Sequence, residues 1–144
     1  KGFPPRLELL QCFFKCCKKL GDEGLESLGA GLPSTLHTLR LIFAECTTVG
    51  DVGMSALGRH LPSTLRILRL SFVNCSGITD AGLSAVATGL TPCIQHLILG
   101  VSYSHVGDRG LSALAAKLPP TLRTLDLYGQ GCCAVGDGGF AALA

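Results

Sequence analysis

The chain has 144 residues, of which 12 are Lys or Arg, 10 are Asp or Glu and 19 are glycine; 15% are charged and 47% hydrophobic. Disordered chains are charged and poor in aliphatics, so disorder is excluded, and the glycines show no three-residue period, which excludes collagen. A formal net charge of +2 is too small by itself to imply nucleic acid or a membrane surface.

A repeat organises everything that follows. The segments starting at Leu32 (LPSTLHTLRL), Leu61 (LPSTLRILRL), Leu90 (LTPCIQHLIL) and Leu118 (LPPTLRTLDL) align at offsets of 29, 29 and 28 residues, and a weaker copy starts at Phe3 (FPPRLELLQC), again 29 before the next. Each is followed by a second signature: GDEGLESL from Gly21, GDVGMSAL from Gly50, TDAGLSAV from Thr79, GDRGLSAL from Gly107 and GDGGFAAL from Gly136. Such periodicity marks a stacked array, in which each unit buries its apolar face against its neighbours. Five units are expected, near 3–31, 32–60, 61–89, 90–117 and 118–144, together forming one domain.

In chain order, the alternating apolar residues predict a less regular strand near 8–13 and a helix over 22–31. The second unit repeats this with a strand over 38–43 and a helix over 51–60. The third gives 67–72 and 80–89, the fourth 96–100 and 108–117, and the fifth 124–128 with a truncated helix from 137. Asp51, Asp80, Asp108 and Asp137 stand where an N-cap belongs, and are expected to accept from the first-turn N–H groups of their own helices. Pro33, Pro62 and Pro119 then turn the chain back toward the next strand. The expected fold is an α/β solenoid, with a parallel sheet on one face and helices behind it.

At this point the sequence resembles the leucine-rich repeat family, in its ribonuclease-inhibitor-like, cysteine-containing form. The resemblance rests on L-x-x-L-x-L followed by Cys and [IV]-[TG]-D-x-G-[LM]-x-x-L, best seen from Leu65 to Val86 (LRILRLSFVNCSGITDAGLSAV). It implies a concave sheet face and a convex helical face. Two extra residues separate the strand leucine from the cysteine, a departure from the usual pattern. Proteins with similar repeats can carry an F-box, but Leu32-Pro33 and Leu61-Pro62, which resemble its start, are repeat junctions.

The cysteines follow the repeat. Counting back five from each Asp gives Cys17, Cys46, Cys75, Tyr103 and Cys132. The resemblance implies that this column points inward, so its four thiols are expected to be buried, stacked and unbonded small hydrophobes. Cys12 replaces a strand leucine, while Cys16, Cys93 and Cys133 fall outside these columns and are expected to be exposed. Cys12, Cys16 and Cys17 lack the paired spacing of a zinc site. One Asp per unit, with no second carboxylate beside it, does not make a calcium site. Disulfides between rungs are geometrically possible, yet column membership already explains half of the cysteines, which favours an intracellular, reducing compartment. No cofactor and no metal are expected.

Nothing in the chain reads as catalysis. His37, His60, His96 and His105 occupy unrelated repeat positions, no G-x-S-x-G elbow occurs, and Gly129-Gln130-Gly131 lacks the remainder of a phosphate loop. The expected function is a non-catalytic protein–protein interaction module or scaffold subunit of a larger assembly. Alternatives are the substrate-recognition arm of an F-box-type ubiquitin ligase, or an enzyme inhibitor acting through its concave face. Partners are expected to be proteins, with no nucleic acid and no membrane span. Residues 81–107 lack any Asp, Glu, Lys or Arg, but Pro92, Gln95 and His96 interrupt that run, whereas a spanning helix needs about 20 predominantly apolar residues.

Two surfaces are candidates. The outward strand positions form three columns: Leu9, Thr38, Ile67, His96, Thr124; then Gln11, Arg40, Arg69, Ile98, Asp126; then Phe13, Ile42, Ser71, Gly100, Tyr128. Arg40, Arg69, Ile42, Ile67, His96 and Tyr128 are the expected partner-binding residues of this concave face. On the convex face the uncharged outward positions Ala81, Ser84, Ala85, Ala87 and Thr88 suit close packing against another protein, and Ala81, Ser84, Ala85 and Thr88 are the expected contacts. Terminal repeats need a polar cap, so the apolar first and last units read as part of a longer array or as ends covered by partners.

Overall fold

The computed structural model describes residues 2–144. Five units follow one another as β1 (Leu9–Lys15), α1 (Asp22–Ala30), β2 (Thr38–Ala44), α2 (Asp51–Arg59), β3 (Ile67–Val73), α3 (Asp80–Thr88), β4 (His96–Gly100), α4 (Asp108–Ala115), β5 (Thr124–Tyr128) and α5 (Asp137–Leu143). The strands form one parallel sheet in sequence order. Strands touch neighbouring strands and helices touch neighbouring helices. The expected solenoid is therefore the observed fold.

Strand alternation supplies the inner layer. Leu39 and Leu41, Leu68 and Leu70, and Leu97 and Leu99 are buried, as are Met54 and Leu57, Leu83 and Val86, and Leu111 and Leu114 from the helices. Paired strands hold Leu39, Leu68, Leu97 and Leu125 in one row, so a single apolar slab runs between sheet and helices. Phe14, Phe43 and Phe72 extend it as a stack, with ring centroids 5.6 and 5.4 Å apart. Such aromatic pairs add about 0.5–1.5 kcal/mol beyond their burial.

The aspartates do something other than the expected capping. Each is the first helical residue, and the N-caps are Gly21, Gly50, Thr79, Gly107 and Gly136. The carboxylates of Asp22, Asp51, Asp80 and Asp108 reach into the next unit instead. Asp22 Oδ1 accepts from Gly50 N–H (2.8 Å), Asp51 Oδ1 from Thr79 N–H (2.8 Å) and Asp108 Oδ1 from Gly136 N–H (2.7 Å). Asp80 Oδ1 accepts twice, from Gly107 N–H (2.7 Å) and Gly110 N–H (2.9 Å). The D-x-G spacing follows from this. A Cβ at Gly53 would lie 2.5 Å from Asp22 Oδ1, one at Gly110 2.5 Å from Asp80 Oδ1, and one at Gly82 would overlap Asp51 Oδ1. Glycine leaves the room in which the preceding unit's carboxylate sits.

A second ladder joins the strand entries. Thr35 Oγ1 donates to Leu7 O (2.8 Å), Thr64 Oγ1 to Leu36 O (2.7 Å) and Thr121 Oγ1 to Ile94 O (2.9 Å). Arg6 and Cys93, both exposed, are the exceptions in this column.

The two extra residues of each turn have a clear role. Strands β2 and β3 run on to Ala44 and Val73 and end in a left-handed residue. Cys16, Glu45, Asn74, Tyr103 and Gly131 form that column, with φ of 56°, 58°, 56°, 58° and 72°. The rotation aims each N–H at the next rung: Cys16 to Ala44 O, Glu45 to Val73 O, Asn74 to Ser102 O and Tyr103 to Gln130 O, at 2.8, 2.9, 2.9 and 2.7 Å. Outside glycine this conformation costs about 1 kcal/mol or more per residue, offset here by a backbone bond that keeps the rungs aligned.

Tyr103 therefore does not stand in the cysteine column. The inward position of the fourth unit is Ser104, buried, with its hydroxyl 3.7 Å from Cys132 Sγ. The residue lost from this unit lies after that position, so a count taken from Asp108 slips by one. Cys46, Cys75 and Cys132 are buried as expected, but Cys17 is only partly buried, since it belongs to the first described unit. Cys132 Sγ donates to Val101 O (3.1 Å), and burial pushes the Cys75 thiol up. Ala87, expected on the convex surface, is buried at 1% exposure because α4 packs beside it.

Candidate interaction surfaces

The strand register places the outward residues as the sequence columns arrange them. Gln11 pairs with Arg40, Arg40 with Arg69, Arg69 with Ile98 and Ile98 with Asp126. Two guanidinium-bearing strands are thus adjacent at the middle of the face, about 4.8 Å apart. The Nε atoms of both Arg40 and Arg69 are buried and have no hydrogen-bond partner. Among the described residues the one ion pair is Lys15–Glu45, at 3.5 Å, and it lies on the rim rather than in this row. Asp126, the carboxylate of the row, is two strands from Arg69. Like charges on adjacent strands repel, so nothing within the row compensates the pair.

Aromatic and aliphatic groups flank the arginines. Leu9 is 47% exposed and Phe13 65% exposed on one side, Tyr103 and Tyr128 52% and 56% on the other. Ile42 and Ile67 are half-buried beside the arginines. His96 is occupied within the chain, its Nδ1 lying 2.7 Å from Thr124 Oγ1. Between Arg69 and Tyr128 the surface dips into a cavity of about 270 Å³, bounded also by Ile98, Tyr103 and Ser71. Its floor exists because Gly100 has no side chain: a Cβ there would lie 2.7 Å from Ser71 Oγ.

The structure thus brings Arg69 and Tyr128 to one cavity and sets Arg40 beside them, with Ile42, Ile67 and His96 on the same face. Tyr103 and Ser71 complete the wall and were not among the expected contacts. Counting forward from the strand, rather than back from the aspartate, would have placed Tyr103 on this rim.

On the helical side, Ala81 and Thr88 are exposed and Ser84 and Ala85 half-buried. Ala85, Thr88 and Gly89 face Ser55 and Arg59 across a shallow groove of about 370 Å³ between α2 and α3. The helices meet closely there, since a Cβ at Gly58 would lie 3.0 Å from Ala85 O.

On the rim of the sheet, the Cys16 thiol donates to Glu45 Oε2 (3.2 Å). That bond, with burial and the carboxylate charge behind it, pushes the Cys16 thiol up. The same bond, helped by Lys15, holds Glu45 below the usual carboxylate range. No three His, Cys, Asp or Glu side chains converge to hold a metal ion among the described residues. Among the same residues, no helix is long and apolar enough to cross a membrane.

In comparison with known families, a model described as Leucine Rich repeat matches residues 94–115, the span that holds β4 and α4. The other units repeat the order of that span, a parallel strand followed by a helix. A search of curated proteins finds no match.

Proposed function

We propose that this leucine-rich repeat chain is a non-catalytic module that binds protein partners within a larger assembly, chiefly through its sheet face. Leucine-rich repeat domains generally mediate protein–protein interaction, and their fold is generally a binding scaffold without catalysis. The observation that carries the reading for this chain is the composition of the sheet face. Exposed Leu9, Phe13, Tyr103 and Tyr128 surround two arginines whose buried Nε atoms have no partner of their own. Aromatic residues and arginine are the side chains that dominate protein interfaces. Arg40, Arg69, Ile42, Ile67, His96 and Tyr128 are the proposed contacts.

A specific feature favours a second contact on the helical face. Residues 81–107 carry no Asp, Glu, Lys or Arg, although Arg59, Arg69, Arg109 and Lys117 stand on either side. Burial against a partner removes the advantage of charge, because an unpaired buried ion costs several kcal/mol. Ala81, Ser84, Ala85 and Thr88 are the proposed contacts there.

Crosslinking of the protein in its native setting, followed by purification and identification of its neighbours, tests both surfaces. Phe13→Ala/Tyr128→Ala should lose partners bound to the sheet face, and Ala85→Glu/Thr88→Lys those bound to the helices. Recovery of the wild-type protein alone, as a monomer, contradicts the proposal.

A further inference from the structure

The middle of the sheet face carries more than a general capacity to bind protein. Three observations there point to one kind of ligand. Arg40 and Arg69 lie side by side with their Nε atoms closed off from both solvent and acceptors. A partly desolvated guanidinium pair attracts an anion more strongly than a pair free in water, because screening falls with burial. The cavity of about 270 Å³ adjoins that pair and shares Arg69 as a wall. It is lined by Ile98, Tyr103 and Tyr128 and floored by Gly100, so it is shaped for an apolar or aromatic side chain. At the far side of the row stands Asp126, which disfavours a second anionic patch there.

We propose that this face binds an extended acidic segment of a partner protein. Its carboxylates pair with Arg40 and Arg69, and an apolar side chain further along enters the cavity over Gly100. This rests on the reading of the sheet face as a partner-binding surface.

The geometry sets the spacing. From midway between Arg40 and Arg69 to Gly100 is one and a half strand spacings across the sheet and two residues along it. With strands about 4.8 Å apart and a rise of about 3.3 Å per residue, that is about 10 Å. An extended peptide covers this in about three residues. The recognised pattern is therefore one or two carboxylates followed, about three residues away, by an aromatic or large aliphatic residue. A nucleic acid would need a longer basic track than two arginines beside an aspartate, since its affinity comes from many phosphate contacts.

The test is selection of a random twelve-residue peptide library displayed on phage against the immobilised protein. The strongest binders are then remade as soluble peptides and titrated. The expected pool is acidic, with an aromatic or leucine at the stated spacing. Arg40→Gln/Arg69→Gln should weaken the acidic peptides about tenfold or more, the loss of one charge-assisted bond each. Arg40→Glu/Arg69→Glu should shift the selected pool to basic sequences. Tyr128→Ala, which removes an exposed ring, should relax the aromatic preference while the acidic preference stays. It keeps the test open if an arginine variant fails to fold by circular dichroism. Enrichment of neutral or basic peptides on the wild type overturns the acidic ligand but leaves protein binding by this face standing. No enrichment at all overturns both. An oligouridine that displaces the acidic peptides at lower concentration than they bind assigns the face to nucleic acid and overturns the proposal.

Discussion

Replacing Asp80 by alanine tests whether the aspartate ladder joins the units. Asp80 Oδ1 accepts from Gly107 N–H and Gly110 N–H, at 2.7 and 2.9 Å, and both donors belong to the following unit. A hydrogen bond to a charged acceptor contributes about 1.5–3 kcal/mol net. Asp80 is only half-buried, so water partly replaces what is lost, and the expected cost is about 2–4 kcal/mol for the two bonds together. The alternative source of stability is attraction between the carboxylate and the dipole of its own helix, about 0.3–1 kcal/mol. Asp80→Asn separates them. Asparagine retains the Oδ1 acceptor for both N–H groups, but as neutral bonds of about 0.5–1.5 kcal/mol each, so it should lose about 1–2 kcal/mol, roughly half the loss of alanine. Urea unfolding followed by far-UV circular dichroism measures both variants, since the chain has no tryptophan to report by fluorescence. Hydrogen exchange at Gly107 and Gly110 should accelerate in Asp80→Ala and much less in Asp80→Asn. Equal losses in the two variants would refute the bonded ladder in favour of the dipole, and a loss under about 0.5 kcal/mol in Asp80→Ala would refute both.

Four other outcomes follow from the same structure. Gly89→Ala should destabilise by about 1–3 kcal/mol in the same urea assay, because its Cβ would overlap the carbonyl of Gly58, a backbone atom that cannot rotate away. Phe43→Ala removes the middle ring of the aromatic stack and should cost about 3–5 kcal/mol; a loss below about 1 kcal/mol would mean the stack is not part of the rigid core. Cys93→Thr restores the threonine of its column and should add about 0.5–1.5 kcal/mol through new bonds to the preceding strand entry, and a lower urea midpoint would contradict this. At pH 8, iodoacetamide followed by mass spectrometry should modify Cys16 more slowly than Cys93 or Cys133, because Glu45 raises the Cys16 thiol and so lowers its thiolate fraction. Glu45→Gln should speed modification of Cys16, and an unchanged rate would show that Glu45 does not control it.

The backbone of the array was legible in the sequence because one rule was written five times. Period-two leucines, a helix-spaced apolar face and turn residues each recur at fixed offsets, so the strand register of Arg40 with Arg69 could be read by counting. What the count missed lies between units rather than within one. The aspartates look like caps when a helix is considered alone, since an acidic residue at a helix start suits the dipole. Only stacking brings Gly50, Thr79, Gly107 and Gly136 N–H groups to them. The glycine two positions after each Asp held the signal, because propensity gives no reason to place glycine inside five successive helices. The cavity was hidden for a similar reason: it is made by what Gly100 lacks and by a tyrosine that counting back from Asp108 assigns to the core.

That one-residue offset points to where the array stops being only an array. Local choices in a repeat protein agree with the fold unless something else is asked of them. The fourth unit departs from its neighbours in one column after another. Thr91 stands for Pro33 and Pro62, Cys93 for Thr35 and Thr64, Gly100 for Ile42 and Ser71, Val101 for Phe43 and Phe72, and Ser104 for Cys46 and Cys75. Three of these changes sacrifice stability: the aromatic stack ends at Phe72, Cys93 gives up the threonine bonds of its column, and Thr91 Oγ1 is buried without a partner. The Gly100 change removes a side chain from the sheet face and opens the cavity beside Arg69. A unit shaped only to stack would keep the isoleucine or serine, the phenylalanine and the threonine that its neighbours use. The unit that gives them up is the one that supplies the floor and the Tyr103 wall of the cavity, and its strand and turn, up to Gly107, fall in the stretch without Asp, Glu, Lys or Arg that begins at Ala81 in the third unit. Loss of internal contacts, absence of charge and gain of a cavity meet in the strand half of the fourth unit, which is where the proposed partner-binding face requires them.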